Sequence, residues 1–463
     1  MQIYTFVCEK SNVLEIGQDI HLKKGLNIRM IGEAEQVYSN VEDANIYELK
    51  PTDFHQLTPK LLVKIGDKVK IGSPIFHDKY NKEINFCSPV SGEIKDIIRG
   101  AKRRILKVVI VSNDSSESVH FPIIKDMNRE SIIQAMCLSG LWPCIRQKPY
   151  DTIANPKDVP KSIFISSFNS APNAIDNDFA LYGKEDLFQA GLDIVSKLTD
   201  NVTHLNIDGY SNPSKVFTNA KNVQINRFYG HHPAGNVGIQ VHHLDPINKG
   251  EVVWYVEPQH ILAIATLFRE GRYDPSKIIA VTGSQVKKPK YYRTIQGTSI
   301  KNFLKDNLQN GESRIISGNV LTGERIDIDG SLGFYNFQVT AIPEGNVSEF
   351  LGWLSPGLSK FSASRTFLSW LFPNKKYNID ANLHGEERSY VMTGEYEKVL
   401  PMDIYPNHLI KAIMIGDIEL MENLGIYEVS PEDLALCEFI CTSKIEVQKI
   451  IRDGLDLVRK ENS

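Results

Sequence analysis

Residues 57–100 read LTPKLLVKIGDKVKIGSPIFHDKYNKEINFCSPVSGEIKDIIRG. Gly66–Asp67 and Gly72–Ser73 are turn signals set between short alternating apolar runs (Leu61, Val63, Ile65; then Val69, Ile71). Ser88–Gly92 opens another turn, and Ile94, Ile97 and Ile98 follow it. Alternation places successive side chains on opposite faces of a strand. Short strands ending in glycine at this spacing predict a small β-barrel or sandwich over about Lys24 to Val111.

The pattern V-x-x-G-D-x-V-x-x-G-x-x-I (Val63 to Ile75) and S-P-x-S-G-x-I (Ser88 to Ile94) resembles the biotinyl/lipoyl barrel-sandwich fold. That resemblance raises Lys79 as a lipoyl attachment point. A carrier lysine needs a tight hairpin tip, and Lys79 lies in the longer polar run DKYNKE, so it reads as a solvated loop lysine. The run Arg99, Lys102, Arg103, Arg104 reads as a solvated hairpin face, with docking or nucleotide contact as the alternative.

Downstream, Ile132, Ile133, Met136, Cys137 and Leu141 recur at helical spacing, with Asn128 as N-cap and Gly140 and Pro143 as stops. Trp142 and Arg146 then sit in a connection, where a ring and a guanidinium can stack on a flat ligand. Ile163–Ile165, an amphipathic helix (Leu187 to Leu198), Leu205–Ile207 and Val223–Phe228 alternate as in a parallel sheet with crossover helices. Such sheets bind ligands at the carboxyl ends of their strands. This draws attention to Gly230–Pro246, GHHPAGNVGIQVHHLDP, read as a turn-rich loop before the next strand at Glu251–Glu257. It carries four of the chain's 12 histidines, and His231, His232 and His242 are ligand candidates alongside Trp142 and Arg146.

Pro258 starts a helix that Gly271 ends. Strands at Ile278–Val281, RIISGNVLTG and YNFQVTAIP surround one helix at Ser299–Leu308, which suits a β-grasp-like module. The aromatic, serine-rich run 352–372 (GWLSPGLSKFSASRTFLSWLF) reads mainly as packing, with an interface as the alternative. The tail is helical, with a capping box at Ser430–Asp433 and a last helix over about Lys444 to Lys460.

Composition excludes several classes. Hydrophobic content of 42% and charged content of 23% suit a globular chain of about three domains. A net charge of −4 argues against nucleic acid. The six cysteines have no disulfide-framework spacing and read as reduced thiols. Cys437 and Cys441 share a helix face but lack the further ligands that zinc or an iron–sulfur cluster needs, so no metal is expected. G-x-G-x-x-G and G-x-x-x-x-G-K-[ST] are both missing. The longest apolar patch, Ile261–Phe268, falls far short of the roughly 20 residues that cross a bilayer.

Nine segments in order carry a broader resemblance: KKGL (23–26), SPVSGEI, RGAKRR, SGLW, HHPAGNVG, RIISGNVLTG, SRTFLSWLF, EYEKVLPMDI and SPEDLALCEFICTSK (430–444). From about Lys24 to Lys460 the chain resembles the A-subunit family of the bacterial Na+-translocating NADH:quinone oxidoreductase (Na+-NQR). The resemblance implies a peripheral subunit on the cytoplasmic face of the inner membrane, held chiefly by the membrane-embedded B-subunit. It implies a possible quinone-binding role. It implies no cofactor in this subunit, with NADH, flavins and Fe–S clusters handled by other subunits, and no catalytic residue within it.

The implied architecture is a multidomain α+β and α/β chain. An N-terminal extension (1–23) leads into a biotinyl/lipoyl-like barrel-sandwich (24–115). A Rossmann-like α/β domain (116–257), a β-grasp domain (258–377, of the SLBB type) and a C-terminal helical bundle (378–463) follow. The alternatives are a flavin- or cluster-bearing subunit of a ferredoxin-linked (Rnf-type) membrane complex, or a biotinyl/lipoyl carrier.

Overall fold

A computed structural model describes residues 17–41, 44–113, 115–346, 350–352 and 354–462. The barrel-sandwich stretch folds as two antiparallel sheets. One orders Ile46–Leu49, Ile105–Ser112, Gly92–Arg99 and Lys68–Val69; the other orders Pro59–Leu61, Pro74–Asp78 and Asn85–Cys87. Gly66 (φ +92°) and Gly72 (φ +87°) take the left-handed turn conformation that the sequence assigns to them. The core between the sheets is Leu49, Val69, Ile75, Phe76, Phe86, Ile94, Val108 and Ile110.

A seven-stranded sheet forms the middle of the molecule. Its order is Asp19–His21, Gln224–Tyr229, Thr203–Asp208, Ile163–Ser166, Val253–Val256, Ile145–Lys148 and Thr152–Ile153. The first five strands run parallel; Ile145–Lys148 pairs antiparallel with Val253–Val256, and Thr152–Ile153 antiparallel with Ile145–Lys148. Asp19–His21, read from sequence as part of an extension, therefore pairs as an edge strand. Period-two alternation gives this sheet two buried faces. Ile163, Ile165, Leu205, Trp254 and Val256 join the core shared with the barrel and with the helices Glu185–Val195 and Pro258–Glu270. Phe164, Val253 and Tyr255 face a second core, built with the C-terminal helices.

Those two helices lie against each other. Gly191 makes this possible, because a Cβ there would sit 2.3 Å from the Ile261 carbonyl oxygen. The chain moves outward from Ile163–Ser166 to Thr203–Asp208 and Gln224–Tyr229, then returns to lay Val253–Val256 on the other side of Ile163–Ser166. The connections thus diverge between Ile163–Ser166 and Val253–Val256, which is where an open α/β sheet leaves a crevice.

A six-stranded sheet follows: Glu324–Ile326, Ser313–Ser317, Gln338–Pro343, Ser276–Thr282, Lys290–Ile295 and Glu35–Asn40. Its last strand comes from far upstream, with Tyr38 opposite Tyr291. The helix expected over Ser299–Leu308 is only Lys301–Leu304. Pro406–Ile415, Ile418–Asn423, Ala435–Ile440 and Val447–Glu461 close the second core, the last helix through Val447, Ile451, Leu455 and Val458.

Candidate functional site

The segment Gly230–Pro246 is not a loop throughout, as its glycines and histidines suggested. Val237–Leu244 is a helix. Gly238 is there for close approach and not for a turn: a Cβ would lie 2.0 Å from an Asp433 carboxylate oxygen. His242 and His243 occupy the last turn and fasten it to the C-terminal region. His242 Nε2 accepts from the Asp403 N–H at 3.0 Å, so Nδ1 carries the proton and donates to Glu428 Oε2 at 2.6 Å. His243 Nε2 donates to the Pro401 carbonyl at 2.8 Å, and burial lowers its pKa.

His231 and His232 diverge. His232 is buried, and its backbone N–H donates to Asn27 Oδ1 at 2.8 Å. Ser170 Oγ accepts from the Gly235 N–H at 2.8 Å, so its hydroxyl proton is left for His232 Nδ1 at 3.0 Å. The His232 proton then sits on Nε2, which is buried and unpartnered among the described residues. Burial pushes this imidazole down to about 4. His231 instead lines an open groove.

Trp142 is fully buried, its Nε1 donating to the Ala154 carbonyl at 2.8 Å and its ring edge-on to Trp254 at 5.4 Å. The structure thus places it as a core anchor. Arg146 does stack, but on the protein's own rings, 5.0 Å from Tyr255 and 4.6 Å from Tyr335. Its guanidinium meets Asp151 at 2.6 Å. Asp151 also accepts from the Tyr255 hydroxyl and lies 3.5 Å from Arg452. Beside it, the buried Lys148 ammonium donates to Ser430 Oγ at 2.8 Å and lies 3.7 Å from both Glu432 and Asp433.

Burial acts to raise the Asp151 pKa, yet Arg146, Lys148 and Arg452 together hold it well below the usual carboxylate range. Glu432 goes the other way. Burial, with Asp151 and Asp433 nearby, raises it to about 7 against the pull of Lys148. Sequence reasoning missed Asp151, Tyr255 and Glu432. Its one signal was the capping box at Ser430, where Asp433 Oδ2 does accept from the Ser430 N–H at 3.0 Å.

Of two cavities, one borders Tyr255 and Glu432 and the other lies at His231. The first occupies the crevice where the sheet connections diverge and encloses about 800 Å³ with its open mouth. Ser166 and Asn169 line it from one strand end, Glu257 and Gln259 from the other, and Asn336, Gln338 and Glu432 from across. No lysine or arginine is among its lining residues, so it offers a phosphate no cation. The second, about 720 Å³, is the groove at His231. Leu26, Phe361, Trp370, Phe372 and Tyr377 supply apolar walls, and His231, Arg29 and Lys375 supply donors. Arg29 is held by the Pro373 carbonyl and by Asn374 Oδ1 at 2.8 Å.

The remaining candidates are placed as follows. Lys79 lies between Pro74–Asp78 and Asn85–Cys87, its ammonium 5.5 Å from the Tyr80 ring centre. Lys102 and Arg103 form the exposed tip of the hairpin joining Gly92–Arg99 to Ile105–Ser112. Cys437 and Cys441 are buried, and the Tyr396 hydroxyl donates to Cys441 Sγ at 2.9 Å. Among the described residues no three His, Cys, Asp or Glu side chains group as metal ligands. The run 352–372 departs from its reading as packing: Leu354, Leu358, Leu368, Trp370, Leu371 and Phe372 are all exposed. Apolar composition marks a segment for burial without saying against what.

Comparison with known proteins covers most of the chain. Family descriptions "NqrA N-terminal barrel-sandwich hybrid domain", "NqrA second alpha/beta domain" and "NQRA C-terminal domain" match residues 20–113, 127–273 and 278–327. The A-subunit of the Na(+)-translocating NADH-quinone reductase of Saccharophagus degradans is 34% identical over 96% of this chain and 100% of its own length. That of Pasteurella multocida gives the same figures, and that of Rhodopirellula baltica is 35% identical over 95% and 98%. A solved NAD+-reducing [NiFe]-hydrogenase chain is similar over 48% of each chain, at 13% identity and a TM-score of 0.35, too remote to bear on function.

Proposed function

Because the chain belongs to the A-subunit (NqrA) family of the Na+-translocating NADH-quinone reductase, we propose that it completes that complex as a peripheral subunit with a quinone-binding groove. The complex couples electron transfer from NADH to quinone with Na+ export, and other subunits of the complex are the partners. The finer reading is that the chain sits on the cytoplasmic face, held chiefly by the membrane-embedded B-subunit. No helix among the described residues is long and apolar enough to cross a membrane. The carrier and ferredoxin-linked alternatives give way to a family whose members match 96% of this chain.

The parallel strands that diverge at Ile163–Ser166 and Val253–Val256 support the Rossmann-like description. The six-stranded sheet with Lys301–Leu304 supports the β-grasp description, and the second core supports the helical bundle. NADH, flavin and cluster chemistry is assigned to other subunits. The observation that carries the quinone reading is the second groove. A quinone head needs a greasy slot and one or two donors to its carbonyls, and aromatic walls with His231 and Arg29 meet that need. Of the residues singled out from sequence, His231 takes this role. His232, His242, Trp142 and Arg146 are engaged within the fold.

A spectrum, an intact mass and a quinone titration of the purified chain test the reading together. The expected result is a colourless, unmodified chain whose tryptophan fluorescence a short-chain quinone quenches saturably. A flavin or cluster spectrum, a lipoyl or biotinyl adduct on Lys79, or linear quenching unaffected by His231→Ala contradicts it.

A further inference from the structure

We infer that the loop 350–376 is a lipid-facing element that inserts its aromatic side chains into the headgroup region of an anionic bilayer. The loop is built to stand out. It closes on itself, with the Leu368 N–H donating to the Pro356 carbonyl at 2.9 Å and Lys375 Nζ to the Leu358 carbonyl at 2.8 Å. Phe361 roots it against Tyr377 at 5.5 Å and Phe439 at 5.8 Å. Beyond that root the apolar side chains lack cover: Phe350 is 94% exposed, Phe372 53%, Leu371 52% and Trp370 47%. Large uncovered apolar groups on one short loop mark an interaction surface.

Charge selects the occupant. From Glu349 to Lys376 the sequence carries Lys360, Arg365, Lys375 and Lys376 against the one acid Glu349. Glu33, from another part of the chain, meets Lys376 at 2.7 Å in an exposed pair that salt screens. Lys375 bonds to the Leu358 carbonyl, and Arg365 lies over Trp370 at 5.7 Å. The cytoplasmic loops of integral membrane proteins are themselves rich in Lys and Arg, a poor match for this loop. An anionic leaflet attracts it. Tryptophan and phenylalanine beside basic residues are the composition of membrane-surface segments. Trp370, Phe372 and Lys375 also line the groove at His231, so insertion would place the mouth of that groove beside the bilayer. Lipid contact by the loop does not depend on the quinone reading.

The test uses the full chain, with no partner subunit, and protein-free vesicles. Flotation with phosphatidylglycerol-containing vesicles should carry the chain up, and pure phosphatidylcholine vesicles should carry it at least tenfold less. Leu368→Ser/Trp370→Ser/Phe372→Ser should lose binding at least tenfold with an unchanged melting temperature, and Lys360→Glu/Lys375→Glu should do the same. Trp370 emission should shift to the blue on binding, a change absent in Trp370→Phe. Failure to float with anionic vesicles overturns the inference. So does binding that survives both loop variants but is lost with Arg103→Glu/Arg104→Glu at the barrel hairpin. Capture only by vesicles that contain the membrane subunit overturns it in favour of a protein interface. Quinone quenching of the unvaried chain is read separately, so its loss does not mimic any of these results.

Discussion

Asp151→Asn should loosen the C-terminal helical region from the seven-stranded sheet. The carboxylate is 8% exposed and sits 2.6 Å from Arg146 and 3.5 Å from Arg452. At an effective dielectric of about 20, those separations correspond to roughly 6 and 5 kcal/mol of gross attraction. Desolvation of three charged groups offsets most of it. What the substitution exposes is the remaining imbalance: Arg146, half-buried between two tyrosine rings, would face a neutral amide. Breaking one side of such a buried pair costs about 3–5 kcal/mol.

Hydrogen exchange at 429–440 suits the measurement, because a multi-part chain need not unfold in one step. A loss of about 3 kcal/mol is roughly a 150-fold fall in protection there, with the barrel strands unaffected. The double variant Arg146→Met/Asp151→Leu should recover part of the protection, since it removes the stranded guanidinium but leaves Arg452 and the Tyr255 hydroxyl without the carboxylate. A drop below about fivefold in Asp151→Asn, or a double variant as weak as the single, would falsify the assignment of this network as the fastening. The pH dependence has a fixed sign. Asp151 has a lowered folded-state pKa, so its stabilisation is present above the ordinary carboxylate range and fades as pH falls through the folded value.

Other consequences follow from local geometry. Burial lowers His232 and His204 to about 4 and His260 to about 3. The unfolded chain therefore binds more protons as pH falls from 6.5 toward 3, so stability should decline over that window and His232→Gln should flatten the slope; an unchanged slope rejects this. Asn128 Oδ1 accepts from the Ser131 N–H at 2.9 Å, so Asn128→Ala should cost about 1 kcal/mol in denaturant melts. Gly191→Ala should push the two packed helices apart at a cost of about 1–3 kcal/mol, seen as faster exchange in both.

The parts of the fold that were legible are those set by near neighbours. Asn128, Pro258 and Ser430 mark helix starts because their caps lie within four residues, and the turns at Gly66 and Gly72 need nothing remote. What stayed hidden depends on partners far along the chain. Glu35–Asn40 joins a sheet whose other strands begin at Ser276, and nothing in its six residues names that partner. Asp151 and Arg452 stand about 300 positions apart. Gly238 read as a turn residue because the carboxylate it makes room for is Asp433. The histidine segment stands out in the sequence, but four similar imidazoles divide into two fasteners, one core residue and one groove residue only when their surroundings are known.

The claim on which the functional account rests is that the groove at His231 meets quinone and takes no part in NADH chemistry. Steady-state kinetics of the assembled complex carrying His231→Ala address it directly. The account predicts a quinone KM raised about tenfold, with the NADH KM unchanged and His232→Ala lowering the yield of folded chain instead. A quinone KM equal to that of the unvaried complex, or a shift confined to NADH, contradicts it.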